Sequence, residues 1–124
     1  MRKQYHFRPG AKGLCAWDID RLLTLVKDLP TIQVPLSAIS DLDMPYWYNH
    51  GYLPTCRSIA EHARLIIEAN LAYPIILSSD GGVMDGMHRA AKAVIEGRST
   101  ILAKQFAEDP EPDFVGVDPD ELPY

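Results

Sequence analysis

No lysine or arginine follows Lys104, yet seven of the seventeen acidic residues lie beyond it: Glu108, Asp109, Glu111, Asp113, Asp118, Asp120 and Glu121. The formal net charge of −5 is therefore a property of the tail, and the rest of the chain has twelve basic and ten acidic residues. That balance excludes a protein that coats nucleic acid non-specifically, which needs a strong basic excess. Cysteine is scarce as well. Cys15 and Cys56 lie far apart and form neither a CxxC pair nor a ligand cluster, so they read as free thiols in a reducing compartment. No run reaches the roughly eighteen apolar residues of a membrane span, and Met1-Arg2-Lys3-Gln4-Tyr5 lacks the apolar stretch of a signal peptide. A cytoplasmic protein is expected. There is no internal repeat and no helix-turn-helix pair, hence no direct DNA-binding element.

What the sequence does contain suits one small domain: 124 residues, 47% hydrophobic and 23% charged. Residues 1–16 read as an irregular arm with Pro9, Gly10 and Gly13. Asp18 is a good N-cap for a helix carrying Ile19, Leu22, Leu23, Val26 and Leu29, stopped by Pro30. Residues 31–36 alternate as a strand, and Pro35 places it at an edge. Residues 41–54 form a long connection rich in aromatics. Ser58 and Glu61 have capping-box spacing at the start of a helix whose apolar face is Ile59, Ala63, Ile66 and Ile67, running to about Asn70. Then come a buried strand at Pro74-Ile75-Ile76-Leu77, a hairpin turn at Ser79-Asp80-Gly81-Gly82 and a return strand at Val83-Met84-Asp85. Gly86 opens a helix with Ala90, Ala91, Val94 and Ile95, which Gly97 closes. Residues 100–106 are the next strand. The fold expected is α/β (α+β), a small mixed sheet packed with helices. Residues 1–106 form the domain, and 107–124 an acidic, proline-rich tail, extended or partly disordered, in which Phe114, Val115 and Val117 are able to dock.

Asp85-Gly86-Met87-His88-Arg89 is the stretch that suggests chemistry. A strand ends, glycine permits a tight turn, and the first helical turn leaves N–H groups without internal acceptors. These donors and the helix dipole favour an anion. His88 and Arg89 stand in that turn, and Lys92 lies one turn on along the same face. Asp85 is out of place beside an anion unless it holds Mg²⁺, accepts a hydroxyl proton or orients His88. The plainer reading makes Asp85 a cap, His88 a surface imidazole and Arg89 the partner of a nearby acid.

Residues 74–106, with Pro-Ile-Ile-Leu-x-x-Asp-Gly-Gly-Val-Met-Asp-Gly-Met-His-Arg-Ala-Ala-Lys-Ala at their head, resemble the ParB-like/sulfiredoxin-like superfamily. More weakly, the likeness extends back to residue 31, with Thr55-Cys56-Arg57 where ParB proteins carry a box ending in arginine. Sulfiredoxins use ATP, free-serine kinases ADP and ParB proteins CTP. The resemblance thus implies a nucleotide (ATP, ADP or CTP) with Mg²⁺, its phosphates at Gly86, His88 and Arg89 and Arg57 closing over them; Met87 and Lys92 join the binding candidates by their place in the turn and on the helix face. Asp85 is the implied metal ligand or base. Met87 stands where sulfiredoxins need cysteine, which argues against sulfinic-acid chemistry. ParB partition proteins have an Arg-rich turn and a downstream DNA-binding domain; with one arginine in its turn and no such domain within these residues, this chain is not expected to be a partition protein. The turn is closest to the Asp-Gly-His-His-Arg of the serine-kinase-like members.

Glu61, one helical turn after Arg57, is a second candidate base, against its plainer role in the capping box. His62 is either a ligand or a solvated helix residue. Tyr46-Trp47-Tyr48-Asn49-His50 could stack a base, meet a protein partner or pack over the core as a lid. His50, His62 and His88 lack zinc-ligand spacing. The leading expectation is a nucleotide-binding domain that hydrolyses or transfers phosphate to an unknown small-molecule acceptor. The alternatives are a non-catalytic regulatory or protein-interaction module and, ranked lower, a nuclease. Oligomerisation is left open.

Overall fold

A computed structural model describes residues 2–48 and 51–124. The fold is α+β, with three helices and two small sheets. It begins with a hairpin where the sequence suggested an irregular arm: β1 (Tyr5–Gly10) pairs antiparallel with β2 (Gly13–Asp18). Gly10 and Gly13 face each other across the Ala11-Lys12 turn, and Gly13 leaves it at φ +125°, a conformation that favours glycine. Asp18 then caps α1 (Ile19–Leu25), its carboxylate accepting from the Asp20 N–H. This helix ends well before Pro30.

The second sheet has the order β3 (Ile32–Pro35), β6 (Thr100–Gln105), β4 (Ile75–Leu77), β5 (Val83–Asp85). β3 is an edge strand, as Pro35 suggested. β4 and β6 run parallel, joined by β5 and α3 (Met87–Ile95), and the other pairs are antiparallel. β4 is covered on both faces, which explains its unbroken apolar run. Ile75 and Leu77 point to one core with Val83, Met87, Ala90 and Ala93; Ile76 points to the other with Trp17, Leu22, Met84 and Phe106. α3 therefore packs on one face, and α1 with the hairpin on the other. The buried side of α3 is Met87, Ala90 and Ala93, while Val94 and Ile95 of the expected face are exposed.

Helix α2 (Cys56–Glu68) starts earlier than Ser58. Thr55 is its N-cap, and the reciprocal capping box joins Thr55 to Ser58, leaving Glu61 outside it. The apolar face expected to be core is largely exposed, and none of the thirteen residues is fully buried.

The tail is neither loose nor separate. Phe114–Val115 forms β7, which joins β2 and completes a three-stranded sheet. The Trp17 indole N–H donates to Pro110 O at 2.8 Å, the Arg21 guanidinium to Glu111 O, and Asp109 and Asp113 pair with Arg8 and Arg21. The tail's acidity is thus matched in part by the arginines of β1 and α1.

Candidate functional site

The β5–α3 turn has the expected geometry. Gly86 is the N-cap of α3 at φ +102°, and among the described residues no side chain caps that end. The first N–H groups of α3 precede any acceptor within the helix. A cleft of about 650 Å³ reaches this end, touching Asp85, Gly86, Met87 and His88. Its opposite wall is the hairpin and the returning tail, through Tyr5, His6 and Tyr124, with Tyr46, Trp47 and Tyr52 at the side.

The aromatic segment is held in place by the unpaired edge of β5. Tyr46 OH donates to Val83 O at 2.8 Å, and the Val83 N–H donates to the Asp41 carboxylate at 2.8 Å. Two side chains thus satisfy both groups that an edge strand leaves free. Burial and the nearby Asp41 and Asp85 carboxylates push the Tyr46 phenol up, so it remains a donor. Trp47 is consequently laid over His62 and His88, with ring centroids 4.3 and 4.6 Å away and interplanar angles of 17°. The two imidazoles are 5.1 Å apart, and His62 Nδ1 meets His88 Nε2 at 2.8 Å. Those distances fit only rings lying edge to edge on the same face of the indole. Asn49 and His50 lie outside the described residues.

This arrangement revises several roles. His88 lines the cleft, but its Nε2 is bonded to His62, so only Nδ1 is free to meet a ligand. His62 is a packing partner beneath Trp47 and does not line the cleft. Arg89 turns back over Gly86 to Asp85, 3.0 Å away, and its Nε is buried without a partner among the described residues. Lys92 does not line the cleft: its ammonium donates to Ile67 O and Ala69 O, fastening the C-terminal end of α2 to α3. Arg57 and Glu61 are exposed on α2 and do not line the cleft. The structure therefore brings Asp85, Gly86, Met87 and His88 to the cleft and leaves Arg57, Glu61, Arg89 and Lys92 out of it.

Asp85 is the one carboxylate on the cleft wall, and it is already paired with Arg89. Among the described residues no group of three or more His, Cys, Asp or Glu could hold a metal ion. Asp85 alone offers Mg²⁺ one carboxylate, so a metal here would be held chiefly by the phosphates of a bound nucleotide.

Three histidines near the cleft resist protonation. Burial, reinforced by the Arg8 charge, lowers His6 to about 4. Burial lowers His88, helped by His62 and Arg89, and burial also lowers His62. Below about pH 6.5 the unfolded chain then binds more protons than the folded one, so stability falls as pH falls. His6 alone contributes about 3 kcal/mol to this loss between pH 6.5 and 4. Urea midpoints measured across that range should decline, and His6→Phe should flatten part of the decline.

Among the described residues no helix is long and apolar enough to cross a membrane. No protein-family model matches the chain, and neither does any curated protein or solved structure.

Proposed function

We infer that this domain binds a nucleotide, with a phosphate at the start of α3 and the base against the aromatic wall of the cleft. The observation that carries this reading is the uncapped, glycine-turned N-terminus of α3 opening into an aromatic cleft of about 650 Å³. Helix ends of this kind favour anions, and aromatic faces accept any base. The ParB-like/sulfiredoxin-like resemblance supports the same ligand class, ATP, ADP or CTP, and two free thiols accord with a cytoplasmic setting.

Binding is better supported than turnover. Asp85 is paired with Arg89, and Glu61 does not line the cleft. A regulatory role, in which the nucleotide alters a protein surface, therefore ranks above phosphoryl transfer or nuclease activity.

Calorimetry with ATP, ADP and CTP, with and without Mg²⁺, tests the reading. At least one should bind, and Trp47→Ala should weaken it by about tenfold, the equivalent of one lost stacking contact. Absence of heat and of competition with all three overturns it.

A further inference from the structure

Helix α2 carries an apolar stripe that the other described residues leave uncovered. Its half-buried side is Ser58, His62, Ile66 and Ala69, held there by Trp47 and by Lys92 at the C-terminal end. Ile59, Ala63 and Ile67, spaced four apart, lie to one side of this, with Cys56 and Ala60 in the adjoining row. Ile59 is 53% exposed and Ile67 73%. Scattered apolar residues on a surface mean little, but a continuous stripe along a whole helix marks a contact.

The charges beside the stripe indicate what the contact is. Arg57, Glu61, Arg64 and Glu68 follow one another in alternating sign. Among the described residues the ion pairs are those of Lys3, Arg8, Arg21, Arg89 and Arg98, so none of these four is paired within the chain. Reading the helix backwards inverts the pattern. A second copy laid antiparallel about residues 62–63 sets Arg57 against Glu68 of the partner subunit and Arg64 against Glu61 of the partner subunit. A parallel copy turns the two charged rows to opposite flanks of the pair and matches none of them. To within half a residue the same antiparallel register sets Ile59 between Ile66 of the partner subunit and Ile67 of the partner subunit and brings Ala63 next to the axis. There its small side chain, with Ala60, lets the backbones approach. A two-fold contact demands this self-complementarity.

We propose that α2 is the contact of a two-fold homodimer, packed antiparallel on α2 of a second copy. One helix of thirteen residues gives an interface at the small end of specific contacts, so dissociation falls in the micromolar range.

Sedimentation velocity of the full chain through that concentration range should show a reversible monomer–dimer equilibrium. Glu68→Arg places two like-charge contacts in each dimer and should raise Kd by about tenfold. Adding Arg57→Glu to it should restore the affinity, a recovery that a mere change in helix stability does not give. Ala63→Cys should cross-link on oxidation, while the native Cys56, far from the axis, should not. A monomer throughout the range overturns the proposal, and so does a double swap that remains as weak as Glu68→Arg.

Discussion

Deleting residues 107–124 is expected to abolish cooperative folding or to remove most of the stability of the remainder. Trp17 is only 2% exposed, and its indole N–H bonds to Pro110 O. Without the tail that donor loses its partner, at a cost of about 1–3 kcal/mol if it stays buried. Leu122 is 5% exposed and Phe114 is half-buried against Tyr5, and losing such apolar burial costs about 2 kcal/mol each. β2 also loses its second neighbour, leaving a two-stranded hairpin, which is marginal in water. Added to the Arg8 and Arg21 pairs, the loss is comparable with the roughly 5–15 kcal/mol that stabilises a whole domain. Urea or thermal unfolding followed by near-ultraviolet circular dichroism checks this through the surroundings of Trp17. An unchanged midpoint would mean that the tail only rests on the surface. Pro119 and Tyr124 also form part of the cleft, so a variant that still folded should bind nucleotide more weakly.

What the sequence revealed depended on whether the deciding interaction was local. β4, the turn at Gly81, β5, Gly86 and α3 follow each other within about twenty residues, and apolar runs with glycines specify them almost unaided. Asp18 likewise announced α1. The hairpin was missed because Tyr5-His6-Phe7-Arg8 alternates without strong β-branched residues, and glycine on each side of Ala11-Lys12 reads as easily as a loose arm. Its real support is β7, almost a hundred residues away, and no local pattern announces such a pairing. The face of α2 was misassigned for a related reason. Ile59, Ala63 and Ile67 have core spacing, but the Lys92 bonds to Ile67 O and Ala69 O and the stacking of His62 under Trp47 set which side turns inward. Charge in the site was overestimated because a sequence lists cations without saying which are engaged. Lys92 meets carbonyls, and Arg89 meets Asp85 four residues before it, as the plainer reading of the turn allowed. The imidazole pair joins residues 26 apart, and only tertiary packing reveals it.

Gly86→Ala should be the most damaging single substitution at the candidate site. The residue sits at φ +102°, in the left-handed region that disfavours any side chain. A Cβ there would lie 2.6 Å from Ile75 Cγ2, 2.6 Å from a terminal nitrogen of Arg89 and 2.9 Å from its Nε. Ile75 is fully buried at the centre of the sheet and has no room to yield. Arg89 could swing away only by leaving Asp85, and the freed carboxylate would then stand half-buried beside the helix end without its cation. Backbone strain of about 1 kcal/mol and overpacking of about 2 kcal/mol give a loss near 3 kcal/mol, or roughly 10 °C in Tm for a domain of this size. A double-mutant cycle separates the two contacts. In an Arg89→Ala background both nitrogen contacts vanish and only the Ile75 clash and the strain remain, so Gly86→Ala should then cost about 1 kcal/mol less. Equal costs in the two backgrounds would show that Arg89 is free to move and that the ion pair with Asp85 does not brace the turn. The glycine thus has two reasons to be where it is: it turns the chain into α3, and it leaves the space through which Arg89 reaches Asp85. Both act before any ligand arrives, so a Gly86→Ala protein that binds no nucleotide says little unless its fold is measured alongside. Arg89→Ala keeps the glycine and separates the two questions. It should leave the helix end open, free Asp85 on the cleft wall and weaken an anionic ligand through the carboxylate's uncompensated charge.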